Sequence, residues 1–233
     1  FLRAAVKAKR ADILITEIGG TIGDIESQPF LEAIRQLAIE VGRQNCLFVH
    51  VTLVPFLAAS GEHKSKPTQH SVKELRAMGI VPDIIVARVD EPMDGELRRK
   101  IALFCDVRPD CVIQNQTVSC LYEAPLMLHR EGLDRAVCRA LRLRTPEPDL
   151  AAWEEMVRRA RVSHPSVRIA IVGKYIRLHD AYLSISEALS HAGFALDVSV
   201  EIVWVESADV TGENAEELLK GCAGILVPGG FGD

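Results

Sequence analysis

Asp12-Ile-Leu-Ile-Thr16 runs directly into Glu17-Ile-Gly-Gly-Thr-Ile-Gly-Asp-Ile-Glu26. The first five residues are an apolar, β-branched run and predict a buried strand ending at Thr16. The next ten hold three glycines, which let a backbone pass close to a ligand. They also hold three carboxylates, Glu17, Asp24 and Glu26. In open α/β sheets ligands bind beyond the carboxyl ends of the strands, which is where this loop is expected. Hard oxygen ligands of this kind suit magnesium, held by one or two carboxylates together with substrate phosphates. A solvated acidic turn is the bland alternative, but a turn needs fewer glycines and gains nothing from three carboxylates beside an apolar strand.

Working outward, residues 47–54, 84–89 and 112–114 read as further strands, with helical patterns over 29–41, 68–78 and 96–104 between them. Pro29 suits a first helical turn after Ser27, and Thr68 is a plausible N-cap for a helix closed by Gly79. Strands alternating with helices of this length predict a doubly wound parallel sheet. The proline-rich turn Arg144-Thr-Pro-Glu-Pro-Asp149 breaks the series, followed by a charged helix over 150–162 and the irregular Ser163-His-Pro-Ser166. Charge shifts there: residues 1–162 carry 23 basic and 22 acidic side chains, 163–233 only 4 and 10. A fresh series follows, with strands at 167–172, 198–205 and 224–227 and helices at 179–192 and 215–220. We therefore expect one α/β domain over 1–143, a linker over 144–166, and a second α/β domain over 167–233. Both ends read as cut: residues 1–9 resemble a helix already under way, and the chain stops within a glycine turn.

A net charge of −5 gives no electrostatic reason to expect nucleic-acid or anionic-membrane binding. No apolar run approaches the ~18 residues that span a bilayer, and the first residues lack the apolar region of a signal peptide. Six cysteines occur without a C-x-x-C pair, so buried reduced thiols in a cytoplasmic protein are expected.

A second constellation is Gly61-Glu-His-Lys-Ser-Lys-Pro-Thr-Gln-His70, between a strand and a helix whose N-terminal N–H groups favour an anion. Lys64 and Lys66 add cations; Thr68, Gln69 and His70 add hydrogen-bonding groups, a set that suits a triphosphate. A flexible basic loop is the alternative. On its own, Lys100 reads as a solvated helical cation. Gly173-Lys174 fits a strand end, because the phosphate-loop pattern G-x-x-x-x-G-K-[ST] is absent from the chain. The turn Pro228-Gly-Gly-Phe-Gly232 presents backbone N–H groups suited to an oxyanion, or is simply a turn.

Taken together, Glu17 to Ser27, Lys64-Ser-Lys-Pro-Thr-Gln-His-Ser-Val-Lys-Glu-Leu75, Lys100-Ile-Ala-Leu-Phe-Cys105, Ile171-Val-Gly-Lys-Tyr175, Asp180-Ala-Tyr182 and Ile225-Leu-Val-Pro-Gly-Gly-Phe-Gly232 resemble the CTP synthases, in order and across essentially the whole chain. The resemblance implies the later part of a P-loop-type amidoligase domain, then the start of a flavodoxin-like class I glutaminase domain. In that family ATP phosphorylates the 4-oxygen of UTP, glutamine is hydrolysed to ammonia, and ammonia displaces the phosphate to give CTP. It implies Mg2+, the substrates ATP, UTP and glutamine, the effectors GTP and CTP, and a homotetramer. Carried across, Glu17 is the magnesium ligand, and Asp24, Ile25 and Glu26 contact the pyrimidine nucleotide. Lys64, Ser65, Lys66, Pro67, Thr68, Gln69 and Lys100 form the UTP/CTP phosphate-and-base site, with Phe104 against the inhibitor. Val118 lies on the ATP adenine side, and Gly230 binds glutamine and serves the oxyanion hole.

The chain departs from the family at Thr117, where an acidic residue is usual. No cysteine sits in a G-x-C-x-G elbow, so no glutaminase nucleophile is assigned, and the 233-residue chain is expected to be inactive alone. Another glutaminase-fused amidoligase would lack the Lys-x-Lys-Pro-Thr-Gln loop. A nucleotide-binding, non-catalytic paralogue is the remaining alternative.

Overall fold

The computed structural model describes residues 11–230. The helical tail read at 1–9 and the end of the glycine turn, 231–233, lie outside the described residues. The chain divides into two compact units, one through Pro148 and one from Asp149.

The first unit is built on a parallel sheet of β1 (Val49–Leu53), β4 (Ile84–Val89) and β5 (Val112–Gln116), in the order β1-β4-β5. A two-stranded antiparallel hairpin, β2 (Phe56–Leu57) and β3 (Glu62–His63), stands between β1 and the next helix. The helices are α1 (Gln28–Val41), α2 (Lys66–Ala77), α3 (Gly95–Cys105), α4 (Ala124–Glu131) and α5 (Leu133–Ala140). The central strand β4 is buried at five of six positions, because helices cover both of its faces. Ile85, Ala87 and Val89 pack with Val72 of α2 and with Ile101, Ala102 and Cys105 of α3. Ile84, Val86 and Ile113 pack with Ala136 of α5, with Leu128 and Leu133 beside them. This is the doubly wound arrangement that the alternating pattern predicts.

Several expectations are corrected. Residues 12–16 form no strand: no described strand pairs with them, and Ile13 and Ile15 are 55% and 91% exposed. An apolar run becomes a strand only when a neighbour completes its backbone ladder. Thr68 is not an N-cap, because α2 begins two residues earlier with Ser65 in the cap position and Pro67 in the first turn. Thr68 is fully buried instead. The run 112–114 extends to Gln116, and helices α4 and α5 occupy a stretch to which no element was assigned. All six cysteines are free, yet only Cys105 and Cys111 are buried. Burial pushes the Cys105 thiol up to about 11, which makes it a poor nucleophile at neutral pH.

The second unit has the parallel sheet β7-β6-β8, formed by β6 (Ser166–Gly173), β7 (Ser199–Glu206) and β8 (Gly224–Leu226). Its helices are α6 (Ala151–Arg161), α7 (Leu183–Leu196) and the short α8 (Ala215–Leu218). The expected helix over 179–192 splits into a 3-10 turn, His179–Tyr182, and then α7. Ala170, Val172 and Val205 form the core. Among the described residues no helix is long and apolar enough to cross a membrane.

Candidate functional site

At the carboxyl edge of β1 the chain turns through the β2–β3 hairpin and enters α2, so residues 64–69 stand at the strand end and the helix start together. The turn is anchored from below. The buried Thr68 hydroxyl donates to the Leu53 carbonyl at 3.2 Å and accepts from Thr52 Oγ1 at 3.3 Å. Ser65 is buried, and its hydroxyl accepts from the Gln69 amide at 3.1 Å. The Lys64 N–H donates to the Pro55 carbonyl at 2.9 Å. Lys66 and Pro67 remain exposed at the first turn of α2, where unsatisfied N–H groups and the helix dipole favour an anion.

The Lys64 ammonium is ion-paired with Glu62 on β3. That hydrogen bond, with help from Ser60 and the field of Lys100, holds the Glu62 carboxyl below the usual carboxylate range. Lys100 and Phe104 are exposed on α3. Lys64 meets this carboxylate directly, whereas Lys100, on α3, adds only a weaker field. Sequence reasoning passed over Glu62, since spacing alone does not reveal which lysine a hairpin carboxylate will meet.

The loops after β4 and β5 meet at the same edge. Thr117 donates from its hydroxyl to Asp90 Oδ1 at 2.8 Å and from its N–H to the Val89 carbonyl at 2.8 Å. His63 Nε2 lies 3.0 Å from the Glu91 carbonyl, which ties the hairpin to the loop after β4. Val118 follows Thr117 directly. Asp90 was also missed, yet it follows the most strongly buried strand, the same position that singled out Glu17.

The loop 17–26 is built differently. Asp24 accepts from the Thr21 N–H at 2.7 Å and from the Thr21 hydroxyl at 2.8 Å, so its carboxylate closes its own turn. Gly20 has φ +88°, and a Cβ there would meet Asp24 Oδ2 at 2.5 Å, which explains glycine at that position. Ile18 and Ile22 anchor the loop against Leu31, Leu75 and Ile80. Ile25 is 80% exposed, and Glu17 and Glu26 are exposed. The three carboxylates do not converge. The one cluster with metal-like spacing among the described residues is His129, Asp134 and Glu147. Glu17 alone fits as a single ligand of a magnesium ion that keeps waters and substrate phosphates.

In the second unit, β6 ends at Gly173, where a Cβ would meet the Tyr182 ring at 2.7 Å. Tyr182 is buried, and its hydroxyl accepts from the Tyr175 N–H at 3.3 Å. Gly230, exposed after β8, has the Lys174 side chain 3.6 Å from where its Cβ would be.

Comparisons with known proteins identify the family. Residues 1–143 match the family model for the CTP synthase N-terminus, and residues 177–233 match that for class I glutamine amidotransferases. The chain is 58% identical over 227 residues to a CTP synthase of Clostridium kluyveri, covering 97% of this chain and 42% of that protein. It is 56% identical over 227 residues to one of Ruminiclostridium cellulolyticum, with the same coverage. A CTP synthase of Halalkalibacterium halodurans is 55% identical over 229 residues, 98% of this chain and 43% of the relative. The chain thus spans less than half the length of these relatives. Its amino-terminal match alone takes in most of the residues, and the chain belongs to the CTP synthase family.

Proposed function

We propose that this chain supplies the acceptor-nucleotide side of a CTP-forming ligase and the beginning of its glutaminase. In the proposed reaction ATP phosphorylates the 4-oxygen of UTP, and ammonia from glutamine displaces that phosphate, giving CTP, ADP and inorganic phosphate. The observation that carries this reading is the turn 64–69, anchored through Thr68 and Ser65, which presents Lys64 and Lys66 at the start of α2.

In this reading Lys64, Ser65, Lys66, Pro67, Thr68, Gln69 and Lys100 bind the phosphates and base of UTP, and CTP competes there against Phe104. Asp24, Ile25 and Glu26 meet the pyrimidine nucleotide, with Asp24 also closing the loop on Thr21. Val118 serves the adenine side, held in place through Thr117 and Asp90. Glu17 is one magnesium ligand; the metal, when bound, neutralises developing phosphoryl charge. Gly230 presents its backbone to glutamine and the oxyanion. The domain assignment 1–143 and 167–233, GTP activation, a homotetramer and a cytoplasmic location belong to the same proposal.

The 233-residue chain contains neither G-x-x-x-x-G-K-[ST] nor a G-x-C-x-G cysteine. It is therefore proposed to bind pyrimidine nucleotide without forming CTP or hydrolysing glutamine on its own. Titration of the purified chain with UTP, followed by displacement with CTP, tests the reading. Competitive binding that Lys64→Met weakens several-fold is expected. UTP binding that is absent, or insensitive to Lys64→Met, would contradict it.

A further inference from the structure

Glu62 is assigned no role in the proposed reaction, yet its carboxylate is ion-paired with Lys64. The β2–β3 hairpin holds it one residue from His63, which is tied to the Glu91 carbonyl and stacked edge-on against Phe56 at 5.0 Å. The carboxylate is thus delivered by a small fixed hairpin. Lys64, the next residue but one, has its main chain pinned to Pro55, and its ammonium meets Glu62 as a direct ion pair. Lys100 adds its field from α3. A carboxylate ion-paired with Lys64 engages the same ammonium that a phosphate oxygen would engage.

We propose that Glu62 is a built-in competitor for the nucleotide phosphates: it occupies Lys64 in the empty site and must release it when a triphosphate binds. This rests on the assignment of Lys64 and Lys100 to the phosphates of UTP and CTP. Two consequences follow. The lysine is held near its working position before ligand arrives, which limits the side-chain entropy lost on binding. The affinity for triphosphate is also lower than an unpaired Lys64 would give, because a negative charge must move aside and remains close by. Glu62 therefore acts as an affinity-setting residue, one that keeps a product-inhibited site from saturating.

The experiment measures UTP and CTP binding by calorimetry to the 233-residue chain as wild type, Glu62→Gln, Lys64→Met and the double variant. Glu62→Gln removes the charge while retaining size and hydrogen-bonding capacity. It is expected to tighten UTP and CTP about two- to fivefold, the range for an exposed ion pair. The gain should shrink as salt is raised, and it should vanish in the Lys64→Met background. A merely structural role for Glu62 would give neither the salt dependence nor the coupling to Lys64. Wild-type UTP binding that Glu62→Gln leaves unchanged or weakens would overturn the inference while leaving the UTP reading intact. Failure of the folded wild-type chain to bind UTP would overturn both.

Discussion

The two loops that carry the proposed nucleotide chemistry are held in opposite ways. The turn 64–69 is anchored to the sheet, through the buried Thr68 on the Leu53 carbonyl and through Ser65 beneath Gln69. The loop 17–26 leans on two half-buried isoleucines, Ile18 and Ile22, and otherwise closes on itself through Asp24 and Thr21. The first is a rigid cradle continuous with a parallel sheet. The second follows a segment with no strand partner among the described residues, so its position depends on fewer long-range bonds. Phosphate recognition can be preorganised in the first, whereas the metal proposed at Glu17 would draw on ligands that the loop does not itself assemble.

Thr68→Val breaks the comparison most forcefully. It keeps the shape but removes, at a fully buried side chain, the donor to the Leu53 carbonyl and the acceptor for the Thr52 hydroxyl, at a cost of about 1–3 kcal/mol. Urea unfolding of the first unit should report that loss together with weakened UTP binding. In the other loop, Asp24→Ala removes the acceptor of two hydrogen bonds at a turn, worth about 1 kcal/mol by analogy with helix caps. Faster amide exchange confined to the neighbourhood of Thr21 is expected, with the sheet unaffected.

His50 offers a pH-dependent probe of the cradle's support. Its ring lies 2.9 Å from Ser71 Oγ of α2, and burial lowers its pKa from the ordinary 6.5. The folded state therefore disfavours the protonated ring, while the unfolded chain takes up the proton near the ordinary value. Stability present above that value is lost as pH falls through it. Melting between pH 7.5 and 5.5 should show this decline, and His50→Gln should flatten it. The smallest effect belongs to the exposed end of the second loop: Glu17→Gln should change stability by less than about 0.5 kcal/mol.

The physical reasons behind the legible and illegible parts differ. Strand 84–89 could be read to the residue because helices bury both faces, leaving an unbroken apolar run. The helix 96–104 was visible from its periodicity, and the structure adds the Asp94 cap, which accepts from the Leu97 N–H at 2.7 Å. Residues 12–16 carry the same local signal as a true strand, but strandhood resides in a hydrogen-bonding neighbour. Thr68 looked like a cap because capping residues and buried hydrogen-bonding threonines share one chemistry, and only the fold distinguishes them. For the site, glycines, lysines and carboxylates could be seen. Which carboxylate is spent on its own backbone, as Asp24 is, or on a lysine, as Glu62 is, depends on distances that the sequence does not contain.

Amide hydrogen exchange of the 233-residue chain, with and without UTP, tests the central claim most directly. The account predicts slowed exchange at 64–69 and through the first turns of α2, reversed when Lys64→Met is introduced. Protection that is absent there, or that appears only in the second unit, would contradict it.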